Sequence, residues 1–137
     1  MSSYAIQGSQ EIIEVGDKVL LKPSKSKEPP YVGFVKKITS GTRKSDDTKV
    51  TLRWFYRPHE IAIHNKTFIG EKELFYSSQE VVQSAKTIMG KCLIYTFKDF
   101  LKLKVINRLD FYCRYKYDPD TKTISVPGDP ATNIVAV

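Results

Sequence analysis

Residues 48–57, TKVTLRWFYR, constrain the fold more than any other stretch of the chain. Val50, Leu52, Trp54 and Tyr56 fall on one side of an extended backbone, and Lys49, Thr51, Arg53 and Arg57 on the other. Successive side chains leave a strand on opposite faces, so this alternation predicts a β-strand. Only Phe55 interrupts the polar side, and Pro58 ends the run because it has no N–H for a ladder.

A strand with an apolar face needs partners, and the sequence offers several. The Val-Leu-Leu of VGDKVLLKP, YVGFVKKI (31–38), KELFYS (72–77), KCLIYTF (91–97) and DFYCRYKYD (110–118) are short and rich in β-branched or aromatic residues. Polar, Pro- or Gly-bearing turns separate them: SKSKEPP, TSGTRKSDD and DPDTKT. ISV (124–126) reads as a last returning strand, and FKDFLKLKVINRL (97–109) as a short helix or an irregular crossover. The expected fold is mainly β: a single, distorted, barrel-like domain with long loops and little helix. At 137 residues the chain holds one domain with a real core. Residues 1–12 read as a flexible lead-in, 13–126 as the domain and 127–137 as a C-terminal tail.

Lys and Arg number 22 against 15 acids, a net charge of +7 that favours polyanionic partners. No stretch is apolar for the roughly 18 residues a membrane helix needs. The first residues lack the charged and apolar regions of a signal peptide, so no membrane or secretory role is expected. Cys92 and Cys113 form no CxxC pair and read as reduced, buried thiols of an intracellular protein. With His59 and His64 they make no triad and no metal-ligand spacing, so no catalytic residue, metal or cofactor is expected and the chain is not read as an enzyme. The sequon at 65–67, NKT, carries no meaning without secretion.

The rings of RWFYRP are the candidate site. If strands 31–38 and 48–57 pair across the turn at 39–47, Tyr31 lies opposite Tyr56 and Gly33 opposite Trp54. Residues directly opposite share a face. Tyr31, Trp54 and Tyr56 would then gather at one end of the hairpin, with a glycine leaving room beneath the indole, while Phe55 points into the core. A cluster of π faces is a cage for a methylated ammonium. Aromatic residues on a strand face are also the ordinary makings of a core or a partner interface.

The series VGDKVLLKPS, PPYVGFVKKI, RWFYRPHE, KELFYSS, IMGKCLIYTFKDF and DFYCRYKYD resembles the bromo-adjacent homology (BAH) domain over about residues 13–126. It is most similar to the plant-type members that precede a PHD finger, the Short Life and Early Bolting in Short Days chromatin readers. The resemblance implies a nuclear chromatin reader that binds histone H3 trimethylated at lysine 27, a repressive mark. It also implies a methyl-lysine cage at Tyr31, Trp54 and Tyr56. A candidate peptide groove involves Glu60, Phe75, Tyr76, Ser78 and Gln79. Glu60, Glu73, Glu80 and Asp110 are expected nearer that groove, and the basic runs KPSKSK, KK, RK and FKDFLKLK nearer nucleosomal DNA.

Departures from the relatives lie after ELF. Lys86 stands where they carry a histidine, and Ser78 or Gln79 near their acidic residue. No zinc-ligand cysteines follow residue 126. The origin-recognition members instead read dimethylated histone H4, with a cage glutamate six residues after the tryptophan. Glu60 has that spacing here, although Ser77 stands where they use a tyrosine. Two further readings are a nucleic-acid-binding β-barrel that stacks bases on the same rings and a protein scaffold that uses them as hot spots.

Overall fold

The computed structural model describes residues 3–41, 47–61 and 71–125, together with the backbone of 133–136. Val19, Leu20 and Leu21, Val32 and Val35, and Val50 and Leu52 are the β-branched and leucine positions of the first three strand runs. All are buried, and they organise the first half of the chain. In chain order the strands are β1 (Ser3–Ala5), β2 (Ile12–Glu14), β3 (Lys18–Leu21), β4 (Tyr31–Thr39) and β5 (Lys49–Tyr56). A 3-10 turn, Pro58–Glu60, follows β5 where Pro58 stops it. Next come β6 (Glu73–Ser84), a 3-10 turn at Ala85–Thr87, β7 (Ile88–Lys91) and β8 (Leu93–Thr96). The chain ends with one helical turn, α1 (Phe97–Phe100), then β9 (Asp110–Asp118), β10 (Thr123–Ser125) and β11 (Asn133–Ala136). The fold is mainly β with little helix, as the turn-punctuated runs require.

The chain divides into two compact units, Met1–Trp54 with Gln79–Cys92, and Phe55–Ser78 with Leu93–Val137. In the first, β3 lies between β4 and β7, and β5 lies on the other side of β4. β3 is antiparallel to both of its neighbours, pairing Leu21 with Tyr31 on one side and with Ile88 on the other. The core here is Ile13, Val19, Leu21, Val35, Ile38, Val50, Leu52, Ala85 and Ile88. β1 pairs with β2 as a small hairpin, although most of it falls in the stretch read as a lead-in. Ile13 is fully buried and ties that hairpin to the core.

In the second unit β9 is central. It runs parallel to β6 and β8 and antiparallel to β10, which in turn pairs with β11 inside the stretch read as a tail. The expected strand at 91–97 is two strands, β7 and β8. Cys92 N–H donates to Lys18 O in the first unit, and Leu93 N–H donates to Leu109 O in the second, so the run divides between two ladders. β6 extends well past the expected 72–77, to Ser84.

Glu73 and Asp110, expected nearer a peptide groove, are buried instead. Glu73 receives a two-pronged bond from Arg114, Nε to Oε2 at 2.9 Å and Nη2 to Oε1 at 2.8 Å. The guanidinium also lies 4.5 Å from the ring centre of Phe97 and 5.0 Å from that of Tyr115. A fork-shaped cation is what a fully desolvated carboxylate needs, because both oxygens gain charge-assisted donors. Asp110 accepts from Asn107 N–H at 2.9 Å and so closes the turn before β9. Replacing Glu73 with Ala would leave the Arg114 charge without its carboxylate. The expected cost is about 3–5 kcal/mol, read from the urea midpoint. A loss below about 1 kcal/mol, the scale of a surface pair, would contradict this account.

Candidate functional site

The site is built on β5, whose burial alternates and then changes phase. Val50 and Leu52 are fully buried on one face, whereas Phe55, on the other, is 5% exposed. Trp54 continues the Val50–Leu52 face but is only half-buried, packed on the outer margin of the first core. Tyr31, the first residue of β4, packs on the same margin. The two rings lie 5.0 Å apart at 48°, a tilted pair. The Tyr31 hydroxyl is paired with Ser24 Oγ at 2.5 Å and accepts from Ser24 N–H at 3.3 Å. Its ring is therefore held at both ends, by the strand at Cα and by the preceding loop at the hydroxyl. Ser24 was not foreseen as a site residue, because KPSKSK reads as a solvated basic loop.

The Trp54 ring meets the Tyr31 ring. A Cβ on Gly33 would meet Leu52 Cδ2 at 3.2 Å and Leu52 Cβ at 3.3 Å, so Gly33 makes room for Leu52. Tyr31 and Trp54 share a face, as the alternation requires. Tyr56 belongs to the second unit, where its ring meets Tyr117 edge-on at 5.2 Å. Its hydroxyl pKa is raised, first by burial and then by the charge of Glu60.

The expected groove residues divide. Phe75 is fully buried in the second core with Ile61, Tyr117 and Ile124 and cannot touch a peptide: it occupies an inward position of β6. Tyr76 is half-buried, edge-on to Phe55 at 5.9 Å. Ser78 and Gln79 are exposed on β6. Glu60 is half-buried, and its carboxylate accepts from Arg57 N–H at 2.9 Å, capping the 3-10 turn after β5. Glu80 is ion-paired with Lys36 at 2.7 Å, and Lys86 with Asp47 at 3.0 Å. Cys92 is buried. Cys113 is half-buried, and burial pushes its thiol pKa up to about 11. His64, the sequon at 65–67 and the RK pair at 43–44 lie outside the described residues.

One row crosses the first unit's sheet, Ile88 to Leu21 to Tyr31 by direct register, and all three side chains contact the same core. At its Ile88 end is a cleft of about 530 Å³, lined by Tyr4, Ile6, Gln7, Lys22, Ala85, Lys86, Ile88 and Met89.

A family model described as the BAH domain matches residues 11–127. The chain is 43% identical over 121 residues to chromatin remodeling protein EBS of Arabidopsis thaliana, covering 88% of this chain and 51% of that protein. It is 37% identical over 131 residues to chromatin remodeling protein SHL of the same plant, covering 90% of this chain and 57% of that protein. It thus spans about half the length of these curated relatives. The crystal structure of the yeast Rsc2 BAH domain superposes with a TM-score of 0.75 at 19% identity, covering 92% of this chain and 53% of the other, a likeness of fold.

Neighbouring rings on β5 should answer substitution in opposite ways. Phe55→Ala is expected to cost about 3–5 kcal/mol in urea unfolding, as a buried aromatic does. Trp54→Ala should leave a folded domain with unchanged far-ultraviolet circular dichroism. If Trp54→Ala unfolds the domain, its ring is a core element.

Proposed function

The chain belongs to the BAH domain family, and from that premise we propose that it is a nuclear chromatin reader that binds a methylated histone tail. We assign the methyl-lysine cage to Tyr31, Trp54 and Tyr56, and the mark to histone H3 trimethylated at lysine 27. The observation that carries the reading is the Tyr31–Trp54 pair: two rings 5.0 Å apart, half-buried, one pinned through its hydroxyl. A trimethylammonium is large, weakly hydrated and unable to donate a hydrogen bond, so tilted π faces are the walls it requires. Tyr56 enters as a third wall by the period-two alternation of β5. The choice of mark rests on the resemblance to the plant-type readers, and EBS and SHL, both named as chromatin remodeling proteins, support a chromatin role.

Glu60 decides between methylation states. A cage carboxylate would favour dimethyl-lysine by accepting its remaining N–H. Here Oε1 of that carboxylate accepts from Arg57 N–H and caps the 3-10 turn after β5, and we take the cage as aromatic walls alone. Calorimetry with H3 peptides should give trimethyl over dimethyl over monomethyl, with about 1 kcal/mol or less between the first two. Trp54→Ala should lose roughly 2 kcal/mol or more, and Glu60→Gln should keep the order. Equal affinity for unmodified and trimethylated peptides would refute the reader. A dimethyl preference that vanishes in Glu60→Gln would move the assignment to the origin-recognition type.

A further inference from the structure

Among the described residues of the second unit, the large apolar side chains that stay at least half exposed all fall within 93–106. They are Leu93 at 55%, Leu101 at 67%, Val105 at 71% and Ile106 at 50%. Scattered exposed apolar residues are ordinary; a cluster is not. Three of these lie within six residues of sequence, and Leu93 is joined to the end of the same segment by the bond from its N–H to Leu109 O. Among and just after them stand Lys98, Lys102, Lys104 and Arg108, all exposed; Asp99, the only acid from 93 to 109, lies 4.0 Å from Lys102 Nζ.

The segment is also fixed in place. Thr96 Oγ1 caps α1 by accepting from Asp99 N–H at 3.1 Å. Leu101, Lys102 and Leu103 N–H groups bond back to Phe97, Asp99 and Phe100. Phe100 is buried against Tyr112, with ring centres 4.6 Å apart. Asn107 N–H is held by the Asp110 carboxylate. The segment thus buries its own aromatic anchor and still presents aliphatic side chains among cations on an ordered backbone. Such a surface loses little conformational entropy on binding.

We infer that residues 93–108 form a docking surface for an acidic peptide segment that carries apolar side chains. Charge complementarity chooses the sign of the partner, and the exposed aliphatics choose its kind. Against bare DNA the lysines would find phosphates, but Leu101, Val105 and Ile106 would find nothing apolar to bury against. Against a lipid surface the aliphatics would be served, but beyond the single turn of α1 the backbone is irregular, and its polar groups would enter a medium that cannot satisfy them. An acidic segment with spaced leucines meets both demands.

The test is amide chemical-shift mapping on the full chain, titrated with four probes. They are a short peptide of alternating Glu and Leu, its counterpart with Ser for Leu, a short DNA duplex, and phosphatidylcholine vesicles containing phosphatidylserine. The Glu-Leu peptide is expected to shift residues 93–108, the Ser counterpart much less, and added salt should weaken the effect. Leu101→Ser combined with Ile106→Ser should weaken binding roughly tenfold or more. Lys102→Glu combined with Lys104→Glu should also weaken it. Both double variants change exposed positions and should keep the dispersed spectrum and the affinity for trimethyl-lysine peptide, which separates this surface from the cage. No shifts in 93–108, equal shifts with the Ser counterpart, or a preference for DNA or vesicles would each overturn the inference.

Discussion

The change of buried face along β5 is the constraint on which the rest depends. Up to Leu52 the even-numbered side chains are core; by Phe55 the odd-numbered face has taken over. A strand cannot make that exchange without leaving residues that are fully enclosed on neither side. Trp54 is the residue caught at the exchange, and an indole there has one flank against packed aliphatics and another toward solvent. A large ring in that position packs against the core on one flank and stays partly exposed on the other.

The neighbouring strand supplies what Trp54 lacks. β4 begins with Tyr31, and the loop before it returns Ser24 to the phenol oxygen. The orientation of the ring therefore does not depend on a ligand, and a preorganised pair avoids the ordering cost that a mobile one would carry on binding. The second unit shows a different solution to a similar demand. Its buried carboxylate, Glu73, is neutralised by Arg114, and the guanidinium is itself stacked among rings. There the aromatics are spent on a structural cation, whereas at Tyr31 and Trp54 they are arranged at the margin of the core.

Much of this was legible in the sequence because it depends on side-chain period. The strands at 31–38, 48–57 and 110–118 followed from alternation and turn residues, and so did the inward Phe55 and the shared face of Tyr31 and Trp54. Features set by partners elsewhere in the chain were not legible. The exact pairing of β4 with β5 is not set by the length of the loop between them. Phe75 reads as an available aromatic next to Tyr76, and only its inward position on β6 shows it to be core. Glu73 reads as a surface acid until Arg114, more than forty residues away, is brought beside it. Ser24 carries no local signal, since a serine among lysines is what any exposed loop contains.

Trp54 is the only tryptophan in the chain, so its fluorescence reports on the proposed cage without a label. The most direct measurement is a fluorescence titration with two H3 peptides around lysine 27, one trimethylated and one unmodified. The account predicts a saturable change with the trimethylated peptide alone, lost in Tyr31→Ala while the folded spectrum of the free protein is retained. The same response to both peptides, or a trimethyl response that survives removal of the Tyr31 ring, would contradict it.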